Sequence, residues 1–365
     1  KQKYNIAHWL EELARTSISF KLAGNTDLPM KRTNQFVGHY IDARESHFRI
    51  LKIQYILMVL FKVIVTSGLL IVGSLLVMEQ QMNIGQFVAA EIIILLVLGA
   101  VEKLILSLET IYDVLTALEK VGQVTDLELE CSTGIEVDSI TTEKGLSFGF
   151  NQVDFSYPGQ DTNIFSEVSL SVESGKSVMV LGDSDSGKTT LLYLLAGLYK
   201  VKKGSVIING LPIGNYNPQY LRSIIGDCLM DELLFEGTLL ENITMGRPNA
   251  TFEHVKWAIE KLQLGDFIKS LDKGFDTKIY PQGKQFSKGI IDKLILARSI
   301  VDKPKLLLVK DVFSSMVGEE RNQIMSFLTE KSNPWTLVIV SRDENLKSLV
   351  DEVLLVDNKS LIKIK

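Results

Sequence analysis

The stretch Gly182-Asp183-Ser184-Asp185-Ser186-Gly187-Lys188-Thr189 fits the phosphate-loop pattern of a glycine, four free positions and then Gly-Lys-Thr. An apolar run at residues 177–181 predicts a buried strand before it, and residues 190–198 predict a helix after it. The backbone N–H groups of such a loop, together with the positive end of the helix, hold phosphates. The order of strand, loop and helix predicts a nucleoside-triphosphate site in preference to a glycine-rich turn that binds nothing.

Two side chains of this loop have specific expected roles. Lys188 is expected to reach the terminal phosphates of the nucleotide. Thr189 is expected to place its hydroxyl on Mg²⁺, because magnesium prefers oxygen ligands and usually shares its coordination with substrate phosphates.

The composition of the 365 residues indicates a globular protein of about two domains, with long apolar runs in its first third. A net charge of −5 gives no indication of nucleic-acid binding. Cys131 and Cys228 are far apart and predict neither a disulfide framework nor a zinc site, and the four histidines show no metal-ligand spacing. Because the chain begins at Lys1 without a signal-peptide pattern, we expect it to begin partway through a longer sequence.

Two apolar runs predict a membrane hairpin. Residues 55–78 contain Lys62 as their only charge, and residues 84–108 form a second run after a polar turn near residues 79–86. Each run is long enough to cross a hydrocarbon core of about 30 Å. Buried helices of soluble domains seldom extend so far without charges, so we interpret both runs as membrane helices.

Three charged residues within these runs need polar surroundings. Charges at membrane depth are costly, so Lys62, Glu91 and Glu102 are expected to face protein or a water-filled cavity. Lys62 and Glu91 are candidate partners, and the alternative is that Lys62 extends along the helix to the membrane surface.

Helical patterns also flank the predicted hairpin. Residues 4–23 predict an amphipathic helix, and residues 30–54 predict a charged one after an interruption at residues 24–29. Residues 109–127 continue the second membrane helix with rising polarity, which predicts that it emerges into the cytoplasm.

Residues 128–145 lack periodicity and predict a linker, after which short strands alternate with helices. Residues 218–300 are predicted to be mainly helical. Strands and helices around a phosphate loop imply a parallel-sheet nucleotide fold. The predicted strands lie at residues 146–155, 168–172, 177–181, 206–208, 306–309 and 336–340.

The motif order after residue 150 resembles the nucleotide-binding domain of ATP-binding cassette (ABC) transporters, and residues 1–127 look like the second part of an exporter's membrane domain. The resemblance implies a membrane α-helical hairpin plus an α/β P-loop NTPase domain of the ABC type, with a helical subdomain, at residues 146–365. It implies ATP as the nucleotide, with Gly182 to Thr190 as its phosphate loop. It also implies that Tyr157 stacks on adenine, for which the alternative is a surface tyrosine in a turn.

Two segments depart from the family's pattern. The glutamine expected on magnesium and the attacking water falls at Met230, whose thioether is a poor magnesium ligand. The signature Leu-Ser-Gly-Gly-Gln reads Phe286-Ser287-Lys288-Gly289-Ile290. By resemblance, Ser287 and Gly289 retain one hydroxyl and one close backbone approach to a phosphate.

The catalytic positions depart further. Where the family has an aspartate and then a glutamate after a strand, this chain has Lys310 and Asp311, and the alternative register places Val312 at the base. Arg342 stands at the histidine position and Val317 at a loop aspartate. General-base positioning and metal charge are the main supports of phosphoryl transfer.

These departures predict a chain that binds ATP but hydrolyses it weakly or not at all, with Lys310 and Arg342 neutralising phosphate charge and Asp311 as the remaining catalytic carboxylate. The expected function is an ATP-binding subunit of an ABC-type exporter. The alternative is a non-hydrolysing regulatory or structural pseudo-ATPase of the membrane. A soluble phosphate-loop kinase is disfavoured by the apolar runs and by the signature remnant.

The resemblance also implies partners and a location. Residues 4–15 look like the coupling helix that docks on a partner's nucleotide-binding domain, and the hairpin looks like the fifth and sixth helices of an exporter. A lone hairpin cannot enclose a substrate pathway. We therefore expect a second half transporter in a homo- or heterodimer, contact with membrane lipid and no nucleic acid. The expected location is the inner or plasma membrane, multi-pass, with the nucleotide-binding domain in the cytoplasm.

Overall fold

The computed structural model describes residues 2–130, 133–136, 144–229, 233–316, 318–341 and 343–365. The chain divides into two compact units, Lys1–Glu128 and Leu129–Lys365. Met230, Val317 and Arg342, which the sequence analysis singled out, lie outside the described residues.

The first unit consists of helices, two of which are long and apolar enough to cross a membrane. Its elements are α1 (Gln2–Arg15), α2 (Ser17–Leu22), α3 (Leu28–Met78) and α4 (Ile84–Thr125). The predicted membrane helices lie within α3 and α4. The single helix predicted at residues 4–23 is instead broken at Thr16, whose hydroxyl donates to the Glu12 carbonyl.

The turn between α3 and α4 is fixed by a capping box. Asn83 Oδ1 accepts a hydrogen bond from the Gln86 N–H at 2.7 Å, and Gln86 Oε1 accepts one from the Asn83 N–H at 3.1 Å. Beyond the turn, Gly73 of α3 packs against the ring of Phe87 on α4, where a Cβ atom would lie 2.3 Å from the ring. The helices approach closely here because position 73 has no side chain.

An ion pair connects the apolar parts of the two long helices. Lys62 Nζ lies 3.1 Å from Glu102 Oε2. The predicted pairing of Lys62 with Glu91 is therefore wrong, since Glu102 is the residue that α4 places opposite Lys62. Among the described residues, Glu91 has no ion-pair partner.

In its described residues, the second unit combines three sheets with surrounding helices. Its strands are β1 (Phe148–Phe155), β2 (Phe165–Val172), β3 (Ser177–Gly182), β4 (Lys203–Ile208), β5 (Leu211–Pro212), β6 (Ile225–Cys228), β7 (Gly237–Thr238), β8 (Lys278–Ile279), β9 (Leu306–Lys310), β10 (Thr336–Val340), β11 (Glu352–Asp357) and β12 (Ser360–Lys363). Its helices are α5 (Lys188–Leu195), α6 (Pro218–Ile224), α7 (Leu239–Thr244), α8 (Phe252–Lys261), α9 (Gly265–Lys269), α10 (Lys288–Ile300) and α11 (Gly318–Leu328).

The phosphate loop belongs to a six-stranded sheet in the order β12-β11-β3-β10-β9-β6, in which all neighbours but β11 and β12 are parallel. Its strands are buried on both faces. Leu306 and Leu308 of β9 enter one apolar core, whereas Leu307 and Val309 enter the other. This alternation is the two-residue period of a strand that is covered on both sides.

Three of the predicted strands lie in a different sheet from the phosphate loop. β1, β2 and β4 pair antiparallel, in the order β2-β1-β4-β5. The prediction of a parallel sheet therefore holds for the sheet that carries the phosphate loop, whereas β1, β2 and β4 form a separate antiparallel sheet. The mainly helical section 218–300 also contains strand β6, whose four residues are too few to show a period in the sequence.

Asp351, the residue before β11, forms hydrogen bonds with the start of β3. Asp351 Oδ2 accepts hydrogen bonds from the Ser177 N–H and hydroxyl at 2.9 and 2.8 Å, and Lys331 Nζ donates to Oδ1 at 2.6 Å. Burial acts to raise the pKa of Asp351, but the hydrogen bonds from Lys331 and Ser177 outweigh it and lower the pKa to about 2.

The pKa of Asp351 is near 4 in the unfolded chain and about 2 in the folded chain. The ionised carboxylate therefore stabilises the fold above about pH 4, and this stabilisation is lost as the pH falls towards about 2. At about pH 6, we expect Asp351→Asn to lower the free energy of unfolding by about 2 kcal/mol. The difference from the parent should shrink as the pH falls below about 4. Denaturant unfolding over this pH range measures it, with the exposed Asp272→Asn as control. A difference independent of pH would contradict the assignment.

Candidate nucleotide-binding site

Three strand ends meet at one edge of the six-stranded sheet. Val340 of β10 is aligned with Val180 of β3 on one side and with Lys310 of β9 on the other. The phosphate loop follows β3, Ser341 follows β10 and Asp311 follows β9. The carboxyl ends of strands in open α/β sheets form the crevice where ligands bind. The fold therefore brings these sequence-predicted positions to one edge.

The phosphate loop reaches α5 through left-handed backbone positions. Gly187 has a φ of 108°, and a Cβ atom there would lie 2.8 Å from Ile164 Cγ2. Asp185 has a φ of 61°, a conformation that aspartate adopts more readily than most residues. Asp183, Ser184 and Asp185 are exposed. Two exposed carboxylates weaken the attraction of this loop for an anion, a feature that the motif match did not take into account.

The side chain of Lys188 folds back over the phosphate loop. Its Nζ donates to the Gly182 carbonyl at 2.7 Å and to the Asp183 carbonyl, and it lies 3.4 Å from the Ser186 hydroxyl. The ammonium group is thus held over the loop, where arriving phosphates would exchange with the carbonyl oxygens as its partners.

The donors for a metal ion are limited at this edge. Thr189 is half-buried, and its hydroxyl has no hydrogen-bond partner within the described part of the chain, so it is available as an oxygen ligand. Asp311 supplies a carboxylate at the end of β9. These oxygen donors fit Mg²⁺. Lys310 precedes Asp311 and brings a positive charge to the end of β9.

Asp311 has a left-handed backbone, with a φ of 50°. Its N–H donates to the Val340 carbonyl at 2.9 Å, and the chain then turns into a short 3₁₀ helix, Val312–Ser315. Lys310 is half-buried and forms no hydrogen bond or ion pair with any residue that the structure describes. A cation without an internal partner at this edge is suited to phosphate.

Tyr157 is anchored to the phosphate-loop helix. Its hydroxyl lies 2.8 Å from the Oγ1 atom of buried Thr190, and its ring stands edge-on to Phe155 and Tyr199, each with a centroid distance of 5.2 Å. A cavity of about 490 Å³ is lined by Tyr157, Tyr199 and Lys200, among others. Tyr157 is thus a fixed, half-buried residue beside the loop, and its stacking on adenine stays a prediction.

The signature remnant begins α10. Ser287 is the N-cap residue, but its side chain makes no capping hydrogen bond. A Cβ atom on Gly289 would lie 3.4 Å from the Ser315 carbonyl oxygen, so Gly289 lies close to the chain that follows Asp311. Ser287 is exposed, whereas Gly289 is half-buried against the chain that follows Asp311.

A buried carboxylate that sequence reasoning missed connects these two segments. Asp292 of α10 is 7% exposed; it accepts from Ser315 Oγ at 2.5 Å and from Lys288 Nζ at 3.0 Å. The next residue, Lys293, is also buried and pairs with Glu320 of α11 at 2.6 Å. Charged residues within a helix pattern are usually solvated, so only the spacing of Lys288 and Asp292 hinted at this contact.

A second buried network supports the segment that leads to α7. Asn242 is fully buried; its Nδ2 donates to the Phe235 and Thr238 carbonyls at 2.9 and 3.1 Å, and its Oδ1 accepts from the Phe235 N–H at 3.0 Å. Arg298 of α10 donates to the Asn242 carbonyl at 2.8 Å. The motif Glu241-Asn242-Ile243 therefore has a structural role in holding the turn before α7.

Comparison with known proteins agrees with this geometry. Residues 165–313 match the family model described as ABC transporter. A Staphylococcus aureus (strain NCTC 8325) relative, provisionally named a multidrug export ATP-binding/permease protein, is 30% identical over 67% of this chain and 42% of its own length. A multidrug efflux ATP-binding/permease protein of Mycobacterium bovis (strain BCG / Pasteur 1173P2) is 33% identical over 67% of this chain and 21% of its own.

The chain thus spans less than half the length of these curated relatives. A solved bacterial Atm1-family ABC exporter with ATP bound superimposes with a TM-score of 0.87 over 99% of this chain and 63% of its own, at 22% identity. That likeness shows the fold. The predicted family and fold class are confirmed, and the chain belongs to the ABC transporters, with apolar helices followed by a nucleotide-binding domain in the arrangement of an exporter-type half transporter.

Proposed function

We propose that this chain is an ATP-binding subunit of an ABC-type exporter whose own ATP hydrolysis is weak or absent. The observation that carries the proposal is the contrast between two strand ends at one sheet edge. The loop after β3 holds Lys188 over its carbonyls, whereas β9 ends in Lys310, which has no ion-pair partner among the described residues and which the resemblance aligns with a metal-binding aspartate.

The proposed binding roles follow the geometry. The loop from Gly182 to Thr190 would receive the phosphates of ATP, with Lys188 as the principal cation. Tyr157, fixed to Thr190, would stack on adenine. Mg²⁺ would contribute charge and orient the phosphates, held by Thr189. Ser287 and Gly289 would approach the phosphates of a nucleotide on a second nucleotide-binding domain.

The proposal of weak hydrolysis rests on the groups at the end of β9 that would act as general base and metal ligand. Asp311 follows the end of β9, and its left-handed backbone directs its side chain differently from that of a residue that continues the strand. Lys310 supplies positive charge, whereas activation of water needs a group that accepts a proton. ATP would be bound and its charge neutralised, with little activation of water.

The membrane roles are part of the same proposal. Residues 1–127 would be a partial membrane domain with spans at about 55–78 and 84–108, residues 128–145 a linker and residues 146–365 the nucleotide-binding domain. The chain would lie in an inner or plasma membrane, in contact with lipid, with the nucleotide-binding domain in the cytoplasm. A second half transporter would complete both the membrane domain and the paired nucleotide sites.

Measuring ATP affinity and steady-state hydrolysis of the full chain tests the proposal. We expect ATP binding to persist in excess EDTA and turnover to stay at the background set by Lys188→Ala. Lys310→Asp with Asp311→Glu should raise turnover above that background, because it restores a metal-binding carboxylate and a base. The exposed pair Asp272→Glu with Lys273→Asp is the matched control. Rapid turnover by the parent that Lys188→Ala abolishes would refute weak or absent hydrolysis, and a strict magnesium requirement for ATP binding would refute the role of Lys310.

The second candidate is a regulatory or structural pseudo-ATPase of the membrane, favoured by the same lysine at the end of β9. The two candidates differ in transport. If the chain is an exporter subunit, restoring hydrolysis with the double variant should change substrate movement in membranes that contain its partner. If ATP is only a conformational ligand, binding should alter the chain's structure without any such movement.

A further inference from the structure

A concave, mainly apolar cavity of about 680 Å³ lies between α3 and α4. Apolar side chains that line it include Leu51, Met58 and Leu108, and tyrosines Tyr55 and Tyr112 lie at its wall. The volume is within the range of sites that bury a small amphipathic molecule. Nothing in the proposed nucleotide site uses this cavity.

The cavity lies where the apolar parts of both helices end. Tyr55 is the first residue of the apolar run in α3, and Leu108 is the last residue of the run in α4. Tyr55 and Tyr112 are 60% and 68% exposed. Tyrosine is enriched at membrane–water interfaces, where an apolar ring meets a polar surface. If α3 and α4 cross a membrane, the cavity lies at that interface, open to apolar chains on one side and to water on the other.

The polar end of the cavity carries two opposite charges on different helices. Lys52 belongs to α3 and Asp113 to α4, and both line the cavity. Across residues 2–130, neither side chain forms a hydrogen bond or an ion pair with a described residue. An ammonium group binds phosphate oxygens and a carboxylate binds ammonium groups. The rim is therefore complementary to a headgroup that contains both a phosphate and an amine.

We propose that this cavity binds one phospholipid with a phosphoethanolamine headgroup. Its acyl chain lies along Met58 and Leu108, its phosphate contacts Lys52 and its amine contacts Asp113. The choice of lipid follows from the two unpaired rim charges, because an anionic headgroup without an amine leaves Asp113 unmatched. The inference rests on the proposed membrane location of α3 and α4, but not on ATP binding or hydrolysis.

Photolabelling of the full chain in lipid vesicles tests the site. A phosphatidylethanolamine with a photoreactive acyl chain is added in trace amount to phosphatidylcholine vesicles, and adducts are located by mass spectrometry. We expect adducts concentrated at residues 50–58 and 105–112. Unlabelled phosphatidylethanolamine should compete for them more strongly than phosphatidylglycerol, which lacks the amine.

Three variants distinguish lipid binding in the cavity from general contact with lipid. Leu108→Trp fills the cavity and should reduce labelling there by about tenfold, a change typical of altered apolar packing in a pocket. Leu96→Trp, at a 70% exposed position of α4 outside the cavity, should leave labelling unchanged. Lys52→Gln with Asp113→Asn should retain labelling but abolish the preference for phosphatidylethanolamine over phosphatidylglycerol.

Several outcomes would overturn the proposal. Labelling spread evenly along both helices, or unaffected by Leu108→Trp, would mean ordinary contact with surrounding lipid. Cross-links from the same residues to another polypeptide would mean that protein fills the cavity. Flotation of the vesicles with the chain checks the membrane location separately. A chain that floats without labelling the cavity refutes only the lipid site, whereas a chain that does not float refutes the membrane location.

Discussion

Lys188→Ala is expected to lower the affinity of the chain for ATP by about 100-fold, because charge-assisted hydrogen bonds to phosphate contribute about 1.5–3 kcal/mol. In the structure, Lys188 Nζ is held by carbonyls of the loop that would receive the phosphates. Its charge is therefore already placed where the ligand arrives. Isothermal titration of the full chain with ATP measures the effect.

Lys269→Ala is the matched control, since Lys269 is an exposed residue of α9 whose ion pair is a local one with Asp266. We expect its ATP affinity to equal that of the parent. Thermal unfolding without nucleotide shows whether both variants fold. Equal ATP affinity in folded Lys188→Ala and parent chains would mean that the nucleotide binds elsewhere.

Asn242→Ala is expected to lower the free energy of unfolding by about 3 kcal/mol, because it removes three hydrogen bonds from a fully buried side chain to partly buried backbone groups. The amide of Asn242 binds both the N–H and the carbonyl of Phe235 and the carbonyl of Thr238. Alanine cannot replace any of these bonds. Denaturant unfolding of the full chain, followed by far-ultraviolet circular dichroism, measures the change.

Asn249→Ala provides the control for this second variant. Asn249 is exposed, and the contacts that the structure shows for it are made by its backbone carbonyl, which accepts from the Thr251 N–H and faces a ring nitrogen of His254. We expect its stability to match the parent. A loss below about 1 kcal/mol in Asn242→Ala would mean that water satisfies the freed groups in place of the side chain.

The phosphate loop and its flanking strand and helix could be predicted because their signals are local. Glycine and lysine at fixed spacing, an apolar run before them and a helix after them all lie within about twenty residues, and each follows from backbone conformation or periodicity. The buried strands β9 and β10 were predictable for the same reason, since their runs of leucine, isoleucine and valine stand out from their surroundings.

Contacts between distant segments were not predictable in this way. Lys62 pairs with Glu102, and not with Glu91, because the pairing depends on how two antiparallel helices align along their length. That alignment is set by the capped turn at Asn83 and by the close packing at Gly73, which the spacing of charges does not reveal. The network around Asp292 was missed because its partner Ser315 is more than twenty residues away.

The division of the strands between two sheets was also hidden from the sequence. β1 and β3 each contain apolar residues and each precede a turn, yet one enters an antiparallel sheet and the other a parallel one. The difference depends on which strands are available as neighbours. A run buried on both faces, such as β3 with its pattern of buried residues, favours the parallel sheet, but the short length of the strands weakens that signal.

The ion pair between Lys62 and Glu102 restricts how the two long helices can move. Sliding α3 along α4 by one turn, about 5.4 Å, would separate opposite charges within the apolar part of the hairpin. Separated charges are poorly solvated there, so such a slide is strongly opposed. Rotation of both helices together keeps the pair intact. We therefore expect α3 and α4 to move together as one rigid body, so that a displacement at one end of the pair is passed to the other end.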